Sequence, residues 1–359
     1  MKSLIRYILL SPLSILYGLI TWTRNKLYQF GVLKSYSPSI PTIVVGNLAV
    51  GGTGKTPHIE LLLNILSTKY KTAVLSRGYK RKTKGFILAD TNSNCNSIGD
   101  EPFQLYRKFA NISIAVAEKR VQGILQLQKS IPNLELVLFD DAFQHRAINP
   151  GLKLILTDYS NLYCTDSMLP GGNLREYATG AQRADIIIVT KCPLDLTEQQ
   201  SKDISKKLKI KPNQQLYFSA IVYDSIKPLF ETKDTQLTTP KLQDSAVLLV
   251  TGIVSHRPLV QKIEASGATV KTMAFADHHQ FTTNEYADIE RNFISLPNSS
   301  KIILITEKDA ARIYKDENYP EALKKHTFYI PITIEILHNK QILFANQIKN
   351  YVETYKRNG

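Results

Sequence analysis

An apolar, β-branched run, Thr42-Ile43-Val44-Val45, flows into Gly46-Asn47-Leu48-Ala49-Val50-Gly51-Gly52-Thr53-Gly54-Lys55-Thr56 and then into the apolar periodic stretch from His58 to Leu66. The order strand, glycine-rich turn, helix predicts a phosphate-binding unit of a parallel α/β sheet. Glycines let successive backbone N–H groups turn inward around phosphates, Lys55 adds a mobile charge, and the Thr56 hydroxyl is placed to ligate Mg²⁺. Residues Ala49, Val50, Gly51, Gly52, Thr53, Gly54, Lys55 and Thr56 are therefore expected to bind a nucleoside triphosphate. The strict pattern G-x-x-x-x-G-K-[ST] is met with one exception, since its first glycine falls on Ala49.

Bulk properties narrow the partners without choosing one. The chain has 359 residues, 43% of them hydrophobic and 21% charged, which is ordinary globular composition with room for two domains. A formal net charge of +14 favours an anionic partner: a nucleic acid, an anionic membrane surface or a phosphorylated substrate. The three cysteines, Cys95, Cys164 and Cys192, form no C-x-x-C pair, so neither a disulfide framework nor a zinc site is indicated.

From Tyr7 to Thr23 no residue is charged, while Lys2 and Arg6 precede the segment and Arg24 and Lys26 follow it. Residues 1–30 are expected to form an uncleaved membrane helix, lying in or dipping into the bilayer, with Trp22 and Tyr28 near the interface. Its 17 uncharged residues fall short of the roughly 20 that a spanning helix needs. A P-loop core is expected over residues 31–225, a linker over 226–245, and a second, smaller α/β domain over 246–359.

In a parallel sheet, the turns after the strands' carboxyl ends face the ligand crevice. Arg77 and Tyr79, after the strand Thr72 to Leu75, are placed there for substrate, while Lys80 to Lys84 reads as a solvated loop. Asp100 and Glu101 open a helix. Capping would account for Asp100, and so would a proton-accepting or metal-binding role for the pair. Asp140 and Asp141 close the apolar strand that starts at Leu134 and match the carboxylate that holds Mg²⁺ in P-loop enzymes. Gln144 and His145 follow on the same side. Arg175, in Leu169-Pro170-Gly171-Gly172-Asn173-Leu174-Arg175-Glu176, has the planar fork for a phosphate, although a salt bridge to an acid is the competing account. In the second unit, Asp277-His278-His279 follows a strand. Adjacent histidines point apart, so a single imidazole oriented by a carboxylate fits better than a metal site. For Thr306-Glu307-Lys308-Asp309, helix capping accounts for the residues as well as any function does.

Taken together, the N-terminal hydrophobic segment, VGNLAVGGTGKTP, SRGY, GDEP, FDDAFQH, LPGGNLRE, DHHQF and TEKD resemble, in that order and over nearly the whole chain, the tetraacyldisaccharide 4′-kinases of the lipid A pathway. The resemblance implies transfer of the γ-phosphate of ATP to the 4′-hydroxyl of a tetraacylated glucosamine disaccharide 1-phosphate, at the cytoplasmic face of the inner membrane. ATP and Mg²⁺ are then the implied cofactors, the lipid and the membrane surface the partners, and nucleic acid is not one. The resemblance further implies that Lys55 holds phosphates and that Thr56 with Asp140, Asp141 or Glu101 supports Mg²⁺. It pairs Asp100 with a histidine of DHH, His278 in preference to His279, as catalytic base. Tyr79, Gln144, His145 and Arg175 match positions associated with the lipid headgroup. Two departures stand beside the crevice, Lys80 where glycine usually follows SRGY and Ala142 where DDGxQH has glycine. The alternative is a membrane-associated P-loop ATPase switch, but the lysine that marks the deviant Walker loop of such ATPases would fall at Val50.

Overall fold

The β-branched run that leads into the glycine-rich turn forms a strand buried along its whole length, as expected of a strand covered on both faces of a parallel sheet. The structure is a computed structural model and describes residues 2–230, 241–253, 256–277, 279–297 and 300–358. Its first part runs α1 (Lys2–Gln29), β1 (Thr42–Asn47), α2 (Lys55–Leu66), β2 (Thr72–Ser76), β3 (Ile87–Leu88), α3 (Cys95–Ile98), α4 (Asp100–Lys108), β4 (Ser113–Val116), α5 (Arg120–Ser130) and β5 (Leu136–Asp140). It continues through β6 (Leu152–Asp158), β7 (Ile186–Thr190), α6 (Glu198–Leu208) and β8 (Gln215–Tyr223). There follow β9 (Lys227–Pro228), β10 (Ala246–Thr251), α7 (Arg257–Glu264), β11 (Thr269–Ala274), α8 (Thr283–Ile294), β12 (Lys301–Thr306), α9 (Glu307–Ile313), α10 (Glu321–Lys324) and β13 (Thr327–Ile330). The chain ends with β14 (Ile332–Ile336) and α11 (Gln341–Asn358).

The strands form a nine-stranded sheet, β14-β8-β7-β6-β1-β5-β2-β4-β3, and a five-stranded sheet, β11-β10-β12-β13-β9. In the larger sheet only the outermost pairs, β14 with β8 and β3 with β4, are antiparallel. Although β5 and β6 are consecutive in the chain, they flank β1 on opposite sides. That reversal opens a crevice at the carboxyl end of β1, where ligands of such sheets bind. In the smaller sheet only β9, paired with β13, runs antiparallel.

The second domain is narrower than the expected span 246–359. After β13 the chain returns to the larger sheet, where β14 pairs with β8 from Ile332 opposite Tyr223 to Ile336 opposite Ser219. The helix α11 then covers that sheet with Phe344, Ile348 and Val352, all fully buried beside Ile43 and Leu62. Tyr351 fixes it, donating its hydroxyl to the Thr42 carbonyl at 2.9 Å. The expected linker is partly structural as well, since Ile226 and Leu229 are buried in the two core clusters of the smaller sheet. Outgoing and returning chains lie side by side: Asp224 N–H donates to the Pro331 carbonyl at 3.0 Å, and Lys227 and Pro228 pair with Tyr329 and Phe328.

The N-terminal segment is helical as expected, but no helix among the described residues is long and apolar enough to cross a membrane, so the expectation of a membrane helix over residues 1–30 is not supported. Pro12, two serines and the cations Arg24 and Lys26 interrupt or end its apolar run. One face of α1 docks on the core instead. Tyr17 donates to the Arg175 carbonyl at 3.1 Å, the Gly171 N–H donates to Ser14 Oγ at 2.9 Å, and Arg24 donates to the Gln144 carbonyl at 2.7 Å. Its other face leaves Leu9, Leu13, Leu16, Leu19 and Ile20 exposed.

Candidate active site

Two glycines of the phosphate loop adopt left-handed backbone, Gly51 at φ 116° and Gly54 at φ 84°, and Gly54 sits at the N-cap of α2. Ala49 is not in that region, which explains why alanine serves where the strict pattern has glycine. It is bridged to Leu174 instead: Val50 N–H donates to the Asn173 carbonyl and Arg175 N–H to the Leu48 carbonyl, both at 2.8 Å. The LPGGNLRE segment thus braces the loop's first half. A side chain added at Gly51 or Gly52 would meet nothing within 4 Å, so the loop's outer face is open at the helix N-terminus. The buried His58 ring clamps α2 from below, with Nδ1 2.7 Å from the Gly54 carbonyl and Nε2 3.0 Å from Ser219 Oγ.

The side chains after β1 and β5 converge on Lys55. Its Nζ donates to Asn47 Oδ1 at 3.3 Å and lies 3.6 Å from Asp141 Oδ2. Asp141, at φ 49°, turns its carboxylate toward Lys55 and receives Arg175 Nη1 on both oxygens, at 2.8 and 2.9 Å. Burial alone would raise its pKa, but Lys55 and Arg175 outweigh that and hold it below the ordinary carboxylate range. Asp140 is treated oppositely. It is 3% exposed, Ser76 Oγ donates to its Oδ2 at 3.0 Å, and its Oδ1 has no hydrogen-bond partner among the described residues. Burial first, then the negative charges of Glu101 and Asp141, push it up to about 7.

A buried carboxylate oxygen without a hydrogen-bond partner among the described residues, with the charges of Glu101 and Asp141 nearby, suits a hard divalent cation. Mg²⁺ is held by one or two carboxylates plus substrate phosphates and waters. Among the described residues no group of three or more His, Cys, Asp or Glu side chains that could hold a metal ion is found.

The expected substrate residues split. Tyr79 is 60% exposed at the crevice rim, and Lys80 beside it takes φ 60°, the backbone that the family's usual glycine would adopt without strain. Gln144 works inward, its Nε2 donating to the Asn47 carbonyl at 2.8 Å and to Glu176 Oε1 at 3.1 Å. Burial, with Arg120, Arg24 and Arg77 nearby, lowers the His145 pKa to about 4, so its imidazole is neutral. Arg175 is committed to Asp141, the salt-bridge account weighed against phosphate recognition. The acid next to it, Glu176, pairs with Arg183.

The smaller sheet brings its strand ends to α4, and the expected pairing of Asp100 with a DHH histidine is only partly visible. His278 lies outside the described residues. His279 bonds to Glu285 Oε1 at 2.9 Å and stacks on Phe275, and Asp277 is paired with Lys308 at 2.8 Å. Gly99, not Asp100, is the N-cap of α4, and the Asp100 carboxylate accepts from Arg312 Nε at 2.9 Å. TEKD does cap α9: Asp309 N–H donates to Thr306 Oγ1 at 3.2 Å, and Asp309 in turn receives Arg312 Nη1 at 2.8 Å. Lys308 also stands 4.0 Å from Glu101.

Sequence reasoning missed Asn47, Ser76, Arg120 and Arg312. Asn47 and Ser76 close strands that point into the crevice, which was a usable signal. Arg120, 2% exposed and donating to the Ala117 carbonyl at 2.7 Å, gave none. Arg312 follows Asp309 by one helical turn, and that spacing was the clue to its partner.

A family model described as tetraacyldisaccharide-1-P 4′-kinase matches residues 6–352. The chain belongs to that family. A tetraacyldisaccharide 4′-kinase of Phocaeicola vulgatus is 43% identical over 97% of this chain and 96% of its own length. That of Flavobacterium johnsoniae is 43% identical over 93% and 94%. Among solved structures, LpxK from Aquifex aeolicus in complex with ATP superposes with a TM-score of 0.71 at 25% identity, covering 95% of this chain and 99% of that one. The Aquifex aeolicus protein thus shares the fold of this chain over nearly its whole length.

Proposed function

We propose that this protein transfers the γ-phosphoryl group of ATP to the 4′-hydroxyl of a tetraacylated glucosamine disaccharide 1-phosphate. The observation that carries the reading is the convergence of Lys55, Asp140 and Asp141 below an open phosphate loop, in a chain matched from residue 6 to 352 by this kinase family. In the reaction a bond forms between the 4′-oxygen and Pγ while the bond from Pγ to the β,γ-bridging oxygen breaks, and the hydroxyl proton passes to Asp100, with His278 its partner. Loop amides and Lys55 bind the triphosphate. Thr56 with Asp140, Asp141 or Glu101 would hold Mg²⁺, which when bound neutralises charge on the phosphates. Tyr79, Gln144, His145, Arg77 and Arg175 surround the acceptor's headgroup, Arg175 through its hold on Asp141.

The exposed apolar face of α1 supports a membrane-surface role, with Arg24 and Lys26 at the helix's end near anionic headgroups. Beside this face lies a shallow, open and mainly apolar depression lined by Leu19, Trp22, Tyr177, Ala178 and Thr179, which adds to the apolar surface offered to lipid. The catalytic sheets then lie on the cytoplasmic side of the inner membrane, where ATP is.

The test is ATP-dependent phosphorylation of the detergent-dispersed disaccharide 1-phosphate lipid. Lys55→Ala should lose on the order of 10²-fold or more in kcat, as expected when a group that stabilises transition-state charge is removed. Parent-like turnover by Lys55→Ala, or ATP hydrolysis that ignores the lipid and responds to DNA or RNA, would overturn the reading.

A further inference from the structure

The helix α9 belongs to the smaller sheet, yet one of its side chains reaches across to the first residue of α4. Arg312 is 6% exposed and divides its guanidinium between two carboxylates: Nε donates to Asp100 Oδ2 at 2.9 Å and Nη1 to Asp309 Oδ1 at 2.8 Å. Asp309 is fully buried and immobilised by three further bonds. Gly252 N–H donates to its Oδ2 at 3.0 Å, Thr306 Oγ1 to the same oxygen at 2.6 Å, and its own N–H binds Thr306 Oγ1. The chain of contacts therefore runs from the rigid ends of β10 and β12, through Asp309 and Arg312, to Asp100.

We propose that Arg312 is the positioning residue that holds the Asp100 carboxylate at the orientation needed to meet the acceptor hydroxyl. This deepens the reading given above and rests on Asp100 being the proton acceptor. Three observations favour positioning over a simple strut between domains. The two sheets are already joined at this junction by Lys108, whose Nζ lies 2.7 Å from Glu60 Oε2 and 2.8 Å from Glu307 Oε1, and by Lys315 donating to the Thr91 and Ser93 carbonyls, so adhesion does not need Arg312. Its third nitrogen, Nη2, is buried with no hydrogen-bond partner among the described residues, so the side chain is not placed to maximise its own pairing. Asp100 begins α4 after Gly99 at φ 94°, and no side chain caps that helix, so Arg312 supplies a fixed hold on the carboxylate from outside the helix. A planar fork that grips two carboxylates fixes direction as well as distance, which a lysine ammonium cannot do.

A double-mutant cycle on the full-length protein tests this, using Arg312→Met, Asp100→Asn and both together, with ATP and the detergent-dispersed lipid. Arg312→Met should lower kcat about tenfold or more and leave KM for ATP within about twofold, since Arg312 touches nothing in the phosphate loop. Arg312→Lys should recover part of the lost kcat. In the Asp100→Asn background, Arg312→Met should cost less than about twofold further, because a residue acting through Asp100 has nothing left to position. If Arg312→Met unfolds, shown by its melting curve, the same cycle is run with Arg312→Lys. Losses that multiply in the double variant, or a parent-like kcat in Arg312→Met, would overturn the positioning role alone. A parent-like kcat in Asp100→Asn would remove the proton-acceptor reading and this role with it.

Discussion

Asp140 and Asp141 are neighbours in sequence with the same chemistry, and their surroundings drive them apart: one is held toward the neutral acid, the other pinned as an anion by Lys55 and Arg175. A second carboxylate pair shows the same logic outside the crevice. Glu60 and Glu307 share one ammonium, that of Lys108, so full ionisation would leave a net negative charge buried between α2, α4 and α9. Burial, and after it the charge of Glu307, push Glu60 up to about 7 against the pull of Lys108 and the Gln104 amide; Arg107 and Tyr329 are the other titratable groups facing Glu307. A carboxyl whose pKa is raised on folding contributes stability that is present below about 4.5 and lost as pH rises through about 7. Glu60→Gln should therefore gain on the parent in denaturation midpoint between pH 5 and pH 8. Parallel pH profiles for the two proteins would contradict this. At this scale the sequence was most legible where a residue's partner is its chain neighbour. The phosphate loop, Asp140 and Asp141 could be read because strand, turn and helix fix them locally. The partners of Arg175, His279 and Asp100 could not, because Asp141, Glu285 and Arg312 reach them through turns and long-range packing that no periodicity encodes.

At the scale of elements, α1 and α9 are the two helices whose meaning changes on folding. Its uncharged run made α1 read as a membrane segment, and the helix forms, but its polar residues are spent on the core. Besides the contacts of Ser14, Tyr17 and Arg24, Asn25 donates to Glu176 Oε2 at 2.8 Å. Gln144 and Arg175 sit on the same segments that touch Asn47 and the phosphate loop, so the helix proposed to meet lipid is three contacts from Lys55, through Gln144 and Asn47. Replacing Leu13 and Ile20 with serine removes apolar surface that is 55% and 59% exposed. Co-sedimentation with anionic lipid vesicles should fall several-fold while the melting temperature holds within about 2 °C, since surface substitutions cost little stability. Equal co-sedimentation of variant and parent would count against α1 as the membrane contact. For α9, the capping pattern of TEKD was legible and its destination was not, because which helix a cap aims at is a tertiary fact.

For the whole molecule, composition and order predicted two α/β units and were right about both sheets. What they did not reveal is that the last strand and helix rejoin the first sheet. A strand of five residues and an amphipathic helix read the same wherever they pack, and an antiparallel edge partner leaves no mark in its own sequence. The consequence is testable: ending the chain after residue 331 removes Phe344, Ile348 and Val352 from the first domain's core, each worth roughly 2 kcal/mol of burial. Such a chain should lose cooperative unfolding of the larger sheet, as seen by circular dichroism, even though the removed residues lie at the far end of the sequence from the phosphate loop. Retention of the parent's melting transition would mean that α11 is dispensable. The crossing itself sets how the halves can move. Because residues 224–228 leave and 327–331 return as a hydrogen-bonded antiparallel pair, the joint is a two-ply leaf spring. It flexes more readily out of its own plane than it twists or shears sideways, so the alignment of Arg312 with Asp100 is guarded by the joint as well as by the contacts around it.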